Sequence, residues 1–216
     1  DFHGHRRVGH GGAVYGFSTQ LEILPDANIA VIAASSLDGT NNWITRICNQ
    51  ALEGMLAVQN DQDLTPPVST EPVPRSRARS LAGVYSSMPG EASRTVTVDW
   101  IGDRLLLWKG TFQREIRSRS DTGELVLDDR FGFGTSIRQD QSFLVIDDKT
   151  YTRLSNAPPP EAPAKWRDLI GEYGWDHNTL YILERHGQLH ALIEWFYYYP
   201  LDEIAEDRFA FPDHGL

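Results

Sequence analysis

A chain of 216 residues, 40% of them apolar and six of them tryptophan, is long and apolar enough to bury a core in one domain or several. Its 30 acidic against 20 basic side chains give a formal net charge of -10, the wrong sign for gripping a phosphate backbone, so nucleic acid is excluded as a partner. No apolar run approaches the roughly 20 residues a bilayer-spanning helix needs, and the single cysteine, Cys48, cannot form an internal disulfide.

The chain opens on VGHGGAVYGF, residues 8 to 17, with four glycines around His10. Glycine weakens a strand, so bare backbone here must serve a close approach by a ligand or a second backbone, or mark turns. Phe17, Thr19, Leu21 and Ile23 then alternate with Ser18, Gln20 and Glu22, the period of a strand with one wetter face. LPDAN turns the chain, and the apolar run Ile29 to Ala34 predicts a strand buried on both faces, antiparallel to the first. After Asp38-Gly39 the period becomes helical: Ile44, Ile47, Cys48, Ala51, Leu52, Met55 and Leu56 form one apolar face, with Thr40, Asn41 or Asn42 as N-cap. Cys48 reads as a small buried hydrophobe on that face. A glycine-rich strand, a hairpin and one helix are too few elements to cover both faces of such a sheet, so residues 1 to 59 read as the end of a larger unit.

A proline-rich stretch, residues 60 to 78, leads to a second unit over 79 to 154. There SRTVTVDWI, RLLLWK, FQREIRS, ELVLDD, FGTSIR, SFLVID and TYTRL follow one another at strand-and-turn spacing with no helix between, predicting an up-and-down barrel or a sandwich. A second proline-rich stretch, 155 to 165, precedes a third unit over 166 to 216. That unit repeats the start of the second: LAGVY and LIGEY stand 88 positions apart, each followed by strand, glycine turn and strand. The repeat predicts a duplicated β module whose second copy is too short to close a barrel.

The ordered set His10-Gly11-Gly12, Gly16-Phe17 and Pro25-Asp26 resembles the third motif of the serine β-lactamase and penicillin-binding-protein family, in its class C, D-aminopeptidase and esterase-like branch. The likeness covers residues 8 to about 58. It implies a fold of class α+β: the C-terminal piece of an α/β hydrolase domain, followed by one complete and one truncated antiparallel barrel that resemble the lipocalin-like domains of some D-aminopeptidases. It also implies a catalytic set of His10, Gly11, Gly12 and Ala13, with the Ala13 N–H as one oxyanion donor and His10 in the place of the family's commoner lysine. The implied substrate is a small molecule or peptide with an amide or ester bond, of the D-amino-acid class, and no cofactor or metal is called for.

The family's nucleophile lies in Ser-x-x-Lys, with a Tyr-x-Asn or Ser-x-Asn element between it and the third motif. Only nine residues precede His10, and none of the three lysines, Lys109, Lys149 and Lys165, has serine three positions before it. The chain therefore reads as the C-terminal portion of a hydrolase, inactive by itself. The alternative reading is a non-catalytic barrel that binds a small ligand or a partner, for which an open interior would be the sign. Three further patterns have plainer readings. His3, His5 and His10 could suggest zinc, but carboxylate partners are not evident nearby and a solvated strand start is the simpler reading. WDHN at 175 to 178 with Glu184 or Glu194, and EWFYYYP at 194 to 200, could suggest acid-base chemistry or a ligand wall, but read as barrel wall and turn.

Overall fold

The computed structural model describes residues 1–88, 95–140, 142–155, 162–174, 179–193 and 197–211. By compactness the chain divides into one unit of residues 1–73 and 115–138 and another of 74–114 and 139–216. Most of the described elements are antiparallel β-strands.

The first unit begins with β1 (Val8–Val14), β2 (Phe17–Leu24) and β3 (Ile29–Ser35), a three-stranded sheet in that order, followed by the helix α1 (Asn41–Gln59). The turn after Leu24 forms as its residues demand: the Ala27 and Asn28 amides donate to the Leu24 and Pro25 carbonyls, and Asn28 takes a positive φ of 55°. Helix α1 lays Ile44, Cys48, Leu52 and Leu56, spaced four apart, on the sheet. At one end a core of Phe2, Leu24, Ile29, Leu52 and Leu56 forms.

Two expectations for this sheet change. The face of β2 that α1 covers is the polar one, with Ser18 and Glu22 buried, while Phe17 on the other face is 56% exposed. Strand β3 is likewise not buried on both sides: Ile29 is covered, but Ile32 is 75% exposed. The reason is a single covering layer, since α1 shields one face and the described residues place nothing on the other. Ile47 and Met55, expected on the buried helix face, stay exposed because they lie beside the stripe of Ile44, Cys48, Leu52 and Leu56 that meets the sheet.

The stretch 60 to 78 holds more than a spacer. It contains β4 (Thr70–Pro72) and the start of α2 (Arg75–Leu81). Strand β4 pairs with β8 (Phe112–Arg119) at its edge, where Pro72 is tolerated. The remaining strands are β5 (Gly83–Ser86), β6 (Thr95–Ile101), β7 (Arg104–Lys109), β9 (Leu125–Asp129), β10 (Gly132–Asp140), β11 (Phe143–Ile146) and β12 (Lys149–Ser155). Consecutive strands from β5 to β12 are neighbours, β12 pairs with β5, and the result is a closed eight-stranded up-and-down barrel. All seven sequence-predicted strands are present.

In the second unit the alternation of the barrel strands turns Tyr85, Val96, Val98, Leu105, Leu107 and Leu144 onto one face, each at most 2% exposed. These apolar side chains are buried together, as in the interiors of small barrels. The module that follows is a half-barrel: a 3-10 helix (Ala164–Leu169), then β13 (Gly171–Tyr173), β14 (Leu180–Arg185), β15 (Gln188–Ile193), β16 (Tyr197–Ala205) and β17 (Arg208–Ala210) in one meander. It packs against Trp108 of β7, whose ring meets Tyr198 edge-on at 4.8 Å and His186 at 5.7 Å. His186 also pairs with Asp99 of β6. His190 lies against the same tryptophan, and burial pushes its imidazole below the ordinary histidine value.

Candidate functional site

Strand β1 carries all four residues singled out from the sequence. It is the outer strand of its sheet, and among the described residues nothing pairs with its far edge. The two-residue turn Tyr15-Gly16, with Gly16 at φ 82°, makes Val14 and Phe17 a mutually hydrogen-bonded pair. Alternation along the register puts Gly12↔Thr19 and His10↔Leu21 in the same class. The N–H groups of Gly11 and Ala13 therefore point away from β2, out of the sheet.

His10 and Gly12 face the uncovered side, in a row with Val8 and Val14 and beside Phe17, Thr19, Leu21 and Ile23. His10 is exposed, and among the described residues its ring makes no hydrogen bond or ion pair. The structure thus brings His10, Gly12 and the outward amide of Ala13 to one strand edge and one open face.

The glycines have a reason that the sequence does not reveal. A Cβ at Gly9 would lie 2.4 Å from Glu22 Oε2 and 2.6 Å from the Leu21 carbonyl, and one at Gly11 would lie 2.7 Å from Gln20 Oε1. Both bare positions face α1 and let the side chains of β2 cross over β1. Only the missing Cβ of Gly12 opens the other face, where its sole close neighbour would be Thr19 Oγ1 at 2.8 Å.

What crosses beneath β1 is a partly buried polar network centred on the buried Glu22. The Arg7 guanidinium donates to both oxygens of Glu22 at 2.6 Å and to Asn49 Oδ1 on α1 at 2.9 Å. Gln20 donates to the same carboxylate, and Thr45 donates to Gln20. Arg7 holds the Glu22 carboxyl below the usual carboxylate range against the pull of burial. Burial pushes the Cys48 thiol up, which keeps it protonated and inert among these groups.

Two side chains that sequence reasoning did not assign to the site fix the turn end of the hairpin. Asn41, read as a possible N-cap, makes no cap; its Nδ2 donates to the Gly12 carbonyl at 3.1 Å. Asp38 accepts from the Gly16 amide at 2.5 Å. No local pattern announces either contact, because each joins residues more than 20 positions apart. Asn42 donates to the Phe131 carbonyl in the β9–β10 turn at 2.6 Å, so the loop before α1 is tied on both sides.

The histidines do not converge. His5 pairs with Asp26 at 3.1 Å and His3 with Glu53 at 3.5 Å, and among the described residues no three His, Cys, Asp or Glu side chains gather as a metal would need. Asp176, His177 and Glu194 lie outside the described residues. Glu184 accepts from the Gly187 amide at 2.7 Å and caps a hairpin. A groove of about 700 Å³ runs along the flank of α1, lined by Trp43, Arg46, Ile47, Gln50, Val68 and Phe133, and includes none of the motif residues. Among the described residues no helix is long and apolar enough to cross a membrane. No protein-family model matches the chain, and no curated protein does.

Proposed function

We propose that the chain supplies one wall of the active site of a serine hydrolase related to the β-lactamases and penicillin-binding proteins, with the nucleophile and its base carried on polypeptide outside residues 1–216. The observation that carries this reading is the outward amide of Ala13 on a strand edge that no described residue pairs, next to an exposed His10 without a partner among the described residues. An acyl group laid along that edge meets bare amides, and the Ala13 N–H becomes one of two donors for the oxyanion that develops when serine attacks the carbonyl. The second donor is the amide of the nucleophilic serine. His10 stands where a hydroxyl network needs a hydrogen-bonding group able to carry charge.

The rest of the first unit supports that role. Asn41 and Asp38 hold the turn end of β1, and the Arg7–Glu22 pair holds its middle, so the edge is rigid before substrate arrives. The open apolar face around Phe17 and Ile32 is what a further layer of a larger hydrolase domain would cover. Amides or esters of the D-amino-acid class are the substrates in this reading.

Ala13→Pro tests it, in the polypeptide extended upstream of Asp1. Because this N–H points out of the sheet, proline removes a donor without breaking the β1–β2 ladder. The expected result is a melting temperature close to that of the parent and acylation by a fluorophosphonate slowed by about 100-fold. An unchanged acylation rate in a folded variant overturns the reading.

A further inference from the structure

The two β modules are built on one plan, and only one of them is finished. In the barrel Gly83 stands opposite Val98, Val98 opposite Leu107, and Tyr85 opposite Val96. In the half-barrel Gly171 stands opposite Ile182, Ile182 opposite Ala191, and Tyr173 opposite Leu180. Each module is entered by a short helical turn that follows a proline, Pro74 or Pro163. Each then bends its tyrosine back so that the hydroxyl donates to a carbonyl four residues earlier, Tyr85 to Leu81 at 2.6 Å and Tyr173 to Leu169 at 2.7 Å. Strands β13 to β17 thus correspond one by one to β5 to β9.

The barrel goes on from β9 through β10 and β11 to β12, which returns to β5 and sets Arg153 opposite Tyr85. Arg153 donates to the Ala82 carbonyl at 2.8 Å and the Ser80 carbonyl at 2.5 Å, contacts the Tyr85 hydroxyl, and stacks 4.7 Å from its ring. Tyr85 is fully buried as a result. In the half-barrel no strand among the described residues pairs with the outer edges of β13 and β17, no arginine stands against Tyr173, and that ring is 44% exposed.

We propose that the open side of the half-barrel is the seat of a three-stranded antiparallel β segment that pairs with β17 on one side and β13 on the other, closing a second eight-stranded barrel. Its last strand brings an arginine to the Tyr173 hydroxyl and to the carbonyls that end the 3-10 helix. The occupant is the polypeptide that follows β17, because in the finished copy the strand that joins β9 is the next one in the chain. A second copy of the half-barrel would add five strands where the plan has room for three.

Amide hydrogen exchange tests this with two proteins: the 216-residue chain, and the same chain extended by the sequence its gene encodes after Leu216. In the 216-residue chain the amides of β13 and β17 are expected to exchange about 100-fold faster than those of β5 and β9, and the extension is expected to slow them by about that factor. The slowing should be independent of concentration. Four results overturn the proposal: a reading frame that stops at Leu216, an extension that leaves β13 and β17 unprotected, protection already complete in the 216-residue monomer, or protection that appears only with dimerisation. None of these depends on acylation chemistry at β1, so this proposal and the hydrolase reading stand or fall separately.

Discussion

The Arg7 guanidinium grips the Glu22 carboxylate through two hydrogen bonds of 2.6 Å beneath a strand in which three of seven residues are glycine. Glu22 is the buried partner, and Arg7 is its only salt-bridging cation among the described residues. Removing one member of such a pair strands the other, so Glu22→Gln is expected to cost about 3 kcal/mol, while replacing both Arg7 and Glu22 by methionine costs less than Glu22→Gln alone. Urea unfolding of the three proteins checks the order.

Because the folded Glu22 carboxyl lies below its unfolded value, its contribution is fully present above about pH 4.3 and is lost as the pH falls through the folded value. His190 has the opposite charge type and the same pH sense. Burial depresses its imidazole, so the unfolded chain takes up a proton first, and stability drops as the pH falls below about 6.5. Denaturation curves between pH 7.5 and 5.5 should show that slope in the parent protein. His190→Leu should flatten it.

The glycines of β1 make separable predictions. Gly9→Ala drives a methyl group against the Leu21 carbonyl as well as the Glu22 side chain, and backbone cannot step aside, so a loss of about 2 kcal/mol is expected. Gly11→Ala meets only the end of Gln20, and its smaller loss should disappear when Gln20→Ala is added. Equal and large losses at both positions in thermal melts would contradict this geometry.

Tyr85 and Tyr173 make the same hydrogen bond in different surroundings, one fully buried and one nearly half exposed. Tyr85→Phe leaves the Leu81 carbonyl and the Arg153 guanidinium short of a partner in the barrel wall and should cost about 2 kcal/mol. Tyr173→Phe should cost under about 1 kcal/mol, since water replaces the lost donor.

The barrel was legible because its strands alternate and most of its turns hold glycine or aspartate, so all seven runs from Thr95 to Leu154 appear where the periods put them. The repeat of Leu-x-Gly-x-Tyr was legible too, and the structure gives its cause in the tyrosine-to-carbonyl bond. The face of β2 was not. Apolar alternation points Phe17, Leu21 and Ile23 inward, but the choice is made by Arg7, which pairs with Glu22 and is itself held by Asn49 of α1. Strand β4 escaped notice because Thr70, Glu71 and Pro72 are too few to show a period and proline argues against a strand. At the site, the motif residues were readable and their supports, Asn41 and Asp38, were not, because those contacts exist only once the hairpin and α1 have met.

In the proposed function β1 forms the oxyanion side of an acyl-serine site whose serine lies on another stretch of polypeptide. Mapping the fluorophosphonate adduct by peptide mass decides it. The account expects the 216-residue chain to remain unlabelled, and the polypeptide extended upstream of Asp1 to carry the adduct on a serine outside residues 1–216, with labelling slowed by about 100-fold in His10→Ala. An adduct on a serine within the 216 residues, or labelling of the extended protein that His10→Ala leaves unchanged, contradicts it.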